Sequence, residues 1–243
     1  MITGRLLFIS LVSTVLLFPV DWVRSQTPAK TSVGTTLSVV DAGHWRTLQK
    51  GVALRTVALE RSEPSYRLEL RLLRFDSQII LPRVLTAGQW QLKSASAKTF
   101  AEKSSAIATI TANYFDEKGR PLAYLKSAAQ EINRTISKHA LYTGVFGIGE
   151  SGPFVTHRDE FQPAQASEAL QSGPLLLHRG APVEITSGLG RYARRAVIGI
   201  DKQGQIIVGV TDALIGGLSF SELQEIFTNS KWQLETPELL NLD

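Results

Sequence analysis

The sequence predicts an α+β fold, a mixed and largely antiparallel sheet flanked by a few helices. Three observations lead to this prediction. Apolar segments of strand length outnumber helical segments, two of them flank a tight-turn sequence, and helix-capping signals mark only a few short stretches. With 243 residues, 43% hydrophobic and 20% charged, the chain is long and apolar enough to bury one substantial core.

The predicted strands follow two patterns. Residues 66–75 alternate apolar and charged side chains, which is typical of a strand with one face in water. More uniformly apolar strands are predicted at residues 106–112, 174–177, 196–200, 205–211 and 239–242. The sequence Asp-Lys-Gln-Gly at residues 201–204 separates two of these runs and predicts a hairpin.

Helices are predicted at residues 96–103, 165–171 and 219–228. The last begins with a capping box, in which the Ser219 hydroxyl accepts a backbone N–H and the Glu222 side chain reaches back to the helix start. The second is followed by Gly173, which can end a helix, and then by a proline that cannot continue it.

The first 25 residues predict an export signal. Arg5 precedes the apolar run of residues 6–20, which is shorter than the roughly 20 residues of a spanning helix, and the small residue Ser25 follows. Two interpretations remain open, a cleaved signal peptide and an uncleaved anchor formed by residues 6–20. Both place the protein outside the cytoplasm, either periplasmic or secreted.

The rest of the chain is interpreted as a linker over residues 26–44 and a single domain over residues 45–243. The net charge of +4 is compatible with an anionic ligand but too small to predict a nucleic-acid binder. The chain has no cysteine, which excludes disulfides and Cys-ligated zinc. Its four histidines lack metal-ligand spacing, and no nucleotide loop or hydrolase elbow sequence occurs, so we predict no metal or cofactor.

Polar residues end the predicted strand at 106–112 and continue into a turn. Thr111 and Asn113 would share one face by strand alternation, so both could contact the same ligand, and Asp116 follows in the turn. Asn and Asp also commonly satisfy turn backbone groups. The residues themselves leave both interpretations open.

Three further positions could meet a ligand. Arg195 stands directly before the strand at 196–200, where a guanidinium could hold a phosphate or carboxylate or could belong to a solvated basic turn. Gly173 permits close backbone approach to a ligand, although most such breaks are connectors. Gly216 and Gly217 could place an anion at a helix N-terminus or form a flexible turn.

Taken in order, five segments resemble the phosphodiester glycosidase family over residues 45–243. They are Asn-Tyr-Phe-Asp with a following Gly-Arg-Pro-Leu, Ser-Gly-Pro-Leu-Leu-Leu, Arg-Ala-Val-Ile-Gly-Ile-Asp, Leu-Ser-x-x-Glu-Leu and Leu-Asn-Leu-Asp, and they begin at residues 113, 172, 195, 218 and 240. The resemblance implies catalytic roles for Asn113, Arg195 and Asp243, and weaker substrate-binding roles for Asp116 and Gly173. Thr111 is added to the substrate-binding set as a neighbour of Asn113.

The resemblance also implies a reaction. The expected activity is hydrolysis of a sugar-1-phosphodiester, of the N-acetylglucosamine-phosphate type, in glycan or exopolysaccharide metabolism. Arg195 would hold the phosphate, Asp243 would activate water or attack the sugar, and Asn113 would bind the substrate. The implied partner is a sugar phosphodiester or phosphoglycan, with no nucleic acid, and with membrane contact only through residues 6–20 if these are uncleaved.

The sequence departs from the family pattern at three places. Thr111 replaces a usual Asn, Ala123 replaces a frequent Gly, and the Gly-Gly-Ser loop that follows Leu-Asp in the family does not follow Asp243. We therefore expect a chain truncated just before that loop, whose terminal carboxylate would oppose an incoming anion by roughly a few kcal/mol. These departures motivate the alternative, a catalytically inactive relative that binds envelope glycans or phosphoglycans.

Overall fold

The computed structural model describes residues 5–9, for which only the backbone is considered, together with residues 36–186 and 188–243. Most of the predicted export signal therefore lies outside the described residues, and that prediction stays a prediction. In the part of the chain that is described, no helix has both the length and the apolar character needed to cross a membrane.

The described residues form seventeen strands and two α-helices. The strands are β1 (Arg5–Ile9), β2 (Leu37–Asp41), β3 (Arg46–Gln49), β4 (Val52–Ser62), β5 (Ser65–Phe75), β6 (Leu81–Val84), β7 (Ala108–Thr111), β8 (Leu125–Ser127), β9 (Gln130–Asn133), β10 (Gly144–Gly149), β11 (Gly152–His157), β12 (Ala166–Ser172), β13 (Leu175–His178), β14 (Ala181–Pro182), β15 (Ala196–Ile200), β16 (Ile206–Asp212) and β17 (Glu238–Leu242). The helices are α1 (Ala97–Ser104) and α2 (Phe220–Thr228).

These strands build three sheets. The large sheet has the order β14-β13-β17-β15-β16-β5-β4-β2, with β3 also paired to β4, and the second sheet has the order β11-β10-β12-β8-β9. Every pairing in these two sheets is antiparallel. In the third sheet, β1 lies between β6 and β7 and is parallel to both. The predicted mixed, largely antiparallel sheet is confirmed, with fewer helices than a balanced α+β fold.

The large sheet is covered on both faces because successive residues of its central strands point to opposite sides. On one face, Val197 and Leu239 lie in the same apolar cluster as Leu223 of α2. On the other face, Ile198 lies in a cluster with Leu170 of the second sheet. The large sheet is therefore the middle layer, between α2 and the second sheet.

Several predicted elements are confirmed. The hairpin of β15 and β16 is antiparallel, and the Asp201 carboxylate accepts the backbone N–H groups of Gln203 and Gln205 within its turn. Helix α1 is capped by Ser96, and α2 begins with the predicted capping box of Ser219 and Glu222. Local hydrogen-bonding chemistry sufficed for these predictions.

The predicted helix at residues 165–171 is wrong. This stretch forms β12, which pairs with β10 on one side and β8 on the other. Its residues have ordinary helix propensity, but six of its seven side chains are buried between neighbouring layers. Pairing along both edges outweighed the weak local preference.

Candidate active site

The start of β15 and the end of β17 lie side by side at one end of the inner strands of the large sheet. Ala196 and Leu242 are the last paired residues of these antiparallel strands. Continued by one residue, the register of these strands sets Arg195 opposite Asp243 on the same face of the sheet. The structure thus brings together two residues that are 48 positions apart in the sequence. This place is called the β15–β17 edge below.

Arg195 is held in a defined orientation. Its Nε donates to the carbonyl of Leu218 at 3.0 Å and its Nη2 donates to the carbonyl of Arg191 at 2.6 Å. The guanidinium carbon lies 3.8 Å from the centroid of the Phe220 ring, a cation–π contact. Burial lowers the pKa of Arg195, yet the group remains charged at any physiological pH. Two of its five N–H groups bond to these carbonyls, which leaves three for a ligand.

Asp243 lies in a partly desolvated environment. Its backbone N–H donates to the carbonyl of Ala112 at 3.2 Å, which ties the end of β17 to the segment that follows β7. Burial raises the pKa of the Asp243 side chain. Among the described residues, Asp243 forms no ion pair within 4.0 Å, so Arg195 does not neutralise it directly.

Two tyrosines lie beside Asp243. The rings of Tyr114 and Tyr142 stack with centroids 5.0 Å apart and an interplanar angle of 27°. The Tyr114 hydroxyl donates to the carbonyl of Gly173 at 3.0 Å. Burial raises the pKa of Tyr114, and the negative charge of Asp243 raises that pKa further, so the hydroxyl keeps its proton. Burial and then Asp243 raise the pKa of Tyr142 in the same way.

Two buried amides at this edge have polar atoms without hydrogen-bond partners among the described residues. Asn241 donates from Nδ2 to the Gly173 carbonyl at 2.9 Å and to the Tyr114 hydroxyl at 3.3 Å, while its Oδ1 has no partner. Asn113 is only 2% exposed, and its Nδ2 has no partner. Buried polar atoms without partners are rare in folded proteins and call for an explanation. Asn241 lies in β17 two residues before Asp243, and Asn113 follows Ala112, whose carbonyl accepts the Asp243 N–H.

The loop that carries Tyr142 is fixed by a fully buried side chain of β12. Gln171 donates from Nε2 to the carbonyls of Ser137 and Tyr142 at 2.8 and 2.7 Å. Its Oε1 accepts the Ser137 N–H at 2.8 Å. Because Gln171 bonds both sides of this loop, the Tyr142 ring is held against Tyr114.

The three predicted substrate-binding residues, Thr111, Asp116 and Gly173, make contacts of other kinds. Thr111 ends β7 and is partly buried, two positions before Asn113. Asp116 accepts the backbone N–H groups of Lys118 and Arg120 and the Nε of Arg120, at 2.9, 2.8 and 2.7 Å. These bonds hold the turn at residues 116–120, the alternative that the sequence left open.

Gly173 lets two segments of the chain approach each other closely, rather than a ligand, which was the predicted reason for a glycine here. A Cβ at this position would collide with the carbonyl oxygen of Leu141. The Gly173 carbonyl accepts both Tyr114 and Asn241, so it organises the edge through its backbone. Substrate binding by Thr111, Asp116 and Gly173 stays a prediction.

Gly216 and Gly217, which precede α2, lie among groups that already hydrogen-bond to other parts of the chain. The Tyr66 hydroxyl lies 3.1 Å from the carbonyl of Gly217 and 3.3 Å from its N–H. The carboxylate of Glu222 accepts the Ser219 N–H at 2.9 Å, so a side-chain anion already occupies this helix N-terminus. Arg61 pairs with Glu222 at 2.7 Å and is fully buried. This arrangement fixes Leu218, whose carbonyl holds Arg195.

Other features of the described residues lie away from this edge. No group of three or more His, Asp or Glu side chains in the described ranges could hold a metal ion. A cavity of about 550 Å³ lies at the turn between β10 and β11, and none of its lining residues belongs to the β15–β17 edge. The candidate chemistry of the β15–β17 edge therefore lies outside this cavity.

The sequence analysis missed Tyr114, Tyr142, Asn241 and Gln171. Tyr114 and Asn241 belong to segments that carry the family resemblance, and this was the available signal. Tyr142 and Gln171 lie outside any motif and reach the edge only through tertiary contacts. Sequence spacing could not have identified them.

Comparisons with known proteins identify two similar solved structures and a matching family profile. Its structure resembles the catalytic domain of the zebrafish N-acetylglucosamine-1-phosphodiester alpha-N-acetylglucosaminidase, auto-inhibited by its pro-peptide, with 12% identity and a TM-score of 0.60 over 87% of this chain and 76% of that one. It also resembles a hypothetical protein from Synechocystis, with 14% identity and a TM-score of 0.59 over 83% of this chain and 58% of that one. At these identities the likeness establishes the fold.

A search of curated proteins finds no match. A sequence profile for phosphodiester glycosidases matches residues 104–243, which is more than half of the chain. The matched region includes β7, β15, β17 and α2, and so all the residues of the β15–β17 edge described above. The chain therefore belongs to the phosphodiester glycosidase family, a family of hydrolases that act on phosphodiester-linked sugars.

Proposed function

We propose that this protein is an exported hydrolase that cleaves a sugar-1-phosphodiester of the N-acetylglucosamine-phosphate type in glycan or exopolysaccharide metabolism. Family membership supports the reaction class. The observation that carries the proposal is the β15–β17 edge, where Arg195 and Asp243 are neighbours beside two unpartnered amide atoms. The pattern of the first 25 residues supports export.

Arg195 binds the phosphodiester. Its three remaining N–H groups can form a two-pronged contact with phosphate oxygens, while the contacts to Leu218, Arg191 and Phe220 keep the guanidinium in place. A cation held in this way stabilises the negative charge that grows on the departing phosphate. No solvent reorganisation is then needed during the reaction.

Asp243 acts at the anomeric carbon. The bond between this carbon and the phosphate oxygen breaks, the electron pair leaves with the phosphate monoester, and water supplies the hydroxyl that replaces it. Asp243 either takes the proton of that water or attacks the carbon first. Its partial burial strengthens both interactions, since the carboxylate is poorly solvated.

The two amides complete the substrate contacts. Asn113 Nδ2 donates to an oxygen of the sugar or its acetamido group, and Asn241 Oδ1 accepts from a sugar hydroxyl or from the attacking water. Substrate binding would then satisfy both orphaned atoms. Each such hydrogen bond contributes about 0.5–1.5 kcal/mol.

The test uses the 4-nitrophenyl phosphodiester of N-acetylglucosamine-1-phosphate and measures release of free N-acetylglucosamine. Arg195→Ala should lower kcat/KM by about 10²–10³-fold, the usual loss for a preorganised charge-stabilising group. Arg134→Ala is the matched control, because this arginine is 84% exposed and its ion pair among the described residues is with Glu131 at the surface. Equal activity of Arg195→Ala and the control would refute the assignment.

A second candidate function is glycan or phosphoglycan binding without turnover. It is favoured by the commitment of two Arg195 N–H groups to backbone carbonyls and by Thr111, where the family usually has Asn. In this case the same phosphodiester would raise the unfolding temperature of the protein, since a ligand that binds only the folded state stabilises it. No sugar would be released at any enzyme concentration.

A further inference from the structure

Two large apolar side chains are exposed at the tip of the loop between β16 and α2. Leu214 is 103% exposed and Ile215 is 63% exposed, the two highest values among the large hydrophobic residues described. Burying such side chains in an apolar environment would contribute about 1.5–3 kcal/mol each. We call these two residues the apolar tip.

The loop before β15 also exposes apolar side chains. Leu189 and Tyr192 are 40% and 42% exposed. The two loops are joined by backbone hydrogen bonds between Ala193 and Leu218, at 2.9 and 3.3 Å. The loop that carries the apolar tip is therefore held by backbone hydrogen bonds to the loop before β15.

Positive charge accompanies this apolar surface. Arg191 and Arg194 are exposed, and neither forms an ion pair with the described residues. The acidic side chains beside Leu214 are Asp212 and its cross-strand partner Glu69, and both carboxylates are paired with Arg71, at 2.8 and 3.0 Å. The two guanidinium groups thus remain available to anions in solution.

A lipid surface fits this combination better than a protein partner. A stable protein interface buries about 800 Å² on each side, from 20 to 30 residues, whereas the apolar tip and its neighbours are four side chains. A few apolar side chains flanked by arginines are enough for interfacial membrane binding, with the charges at the headgroups. We propose that the apolar tip inserts into the interface of an anionic lipid membrane, with Arg191 and Arg194 bound to its headgroups.

The test exploits the absence of cysteine from the full chain. Ile215→Cys is labelled with an environment-sensitive fluorophore, and Gln203→Cys, in the exposed turn between β15 and β16, is the matched control. With vesicles of phosphatidylglycerol and phosphatidylcholine, the label at position 215 should shift its emission to shorter wavelength and gain intensity. The label at position 203 should not change. This local readout is independent of any membrane contact made by the N-terminal segment.

The charge requirement is tested in the same assay. Vesicles of phosphatidylcholine alone should give a weaker response, and Arg191→Gln and Arg194→Gln should each weaken binding to the anionic vesicles by about fivefold. An unchanged emission at position 215, or an equal change at position 203, would overturn the proposal. An emission change that depends on protein concentration without vesicles would indicate self-association instead and would overturn it as well.

Discussion

The buried ion pair between Arg61 and Glu222 should be essential to stability, and Arg61→Met tests this. The Arg61 side chain is fully buried, and its Nη2 lies 2.7 and 2.8 Å from the two carboxylate oxygens of Glu222. Its Nε also donates to the Tyr66 hydroxyl at 2.9 Å. Burial lowers the pKa of Arg61, but the hydrogen bonds to Glu222 and Tyr66 raise it overall, so the arginine is charged.

Replacing Arg61 by Met keeps most of the side-chain volume but leaves the Glu222 carboxylate buried without its cation. Breaking a buried pair in this way costs about 3–5 kcal/mol. For a chain of this size, each kcal/mol lowers the unfolding midpoint by about 2–4 °C, so the midpoint should fall by roughly 6–20 °C. Urea unfolding of the variant and the unchanged protein measures the difference in the free energy of unfolding.

The double variant Arg61→Met with Glu222→Gln provides the control. Glutamine can still serve in the capping box, so this second change removes the uncompensated charge and retains the helix cap. The double variant should therefore be more stable than Arg61→Met alone. A loss below about 1 kcal/mol for Arg61→Met, or a double variant that loses the sum of the two single losses, would refute the reasoning.

Three further perturbations follow from the site. Burial raises the pKa of Asp243 in the folded protein above its pKa near 3.9 in the unfolded chain. The free energy of unfolding should therefore fall as pH rises from about 3.9 through the folded-state pKa, and Asp243→Asn should remove this part of the pH dependence in unfolding measurements. Gln171→Leu removes the two short bonds from Nε2 to the carbonyls of Ser137 and Tyr142, which then keep only the longer contacts with Arg158 Nη1 at 3.4 and 3.3 Å. The change should cost about 1–3 kcal/mol in urea unfolding and lower kcat, whereas loss of stability with unchanged kcat would contradict the role assigned to this loop. Gly173→Ala should cost about 1–3 kcal/mol, because its Cβ meets the Leu141 carbonyl, and an unchanged midpoint would show that the loop yields freely.

Local chemistry accounts for the elements that the sequence predicted. The alternation of β5, the turn of the β15–β16 hairpin and the capping box of α2 each depend on residues close together in the chain. The helix predicted at residues 165–171 was wrong because its pairing partners, β10 and β8, leave no trace in the segment itself. Sequence reasoning therefore works where the decisive contact is local.

The same limit applies to the site. Arg195, Asp243 and Asn113 were named from the family resemblance. In the structure, Arg195 and Asp243 directly adjoin the paired residues Ala196 and Leu242, and the Asp243 N–H bonds to Ala112, next to Asn113. The bond from Asn241 to the Gly173 carbonyl joins residues 68 positions apart, and no spacing predicts it. The hydrogen bonds of Asp116 hold a turn, and its assignment to substrate stays a prediction.

The Arg195 side chain connects two loops through hydrogen bonds to their backbone carbonyls. One of its carbonyl partners, Arg191, belongs to the loop before β15, and the other, Leu218, belongs to the loop before α2. A shift of either loop rotates the guanidinium and redirects its free N–H groups. Under the proposed function, loop residues that never contact the sugar or its phosphate could therefore set the substrate preference of this protein.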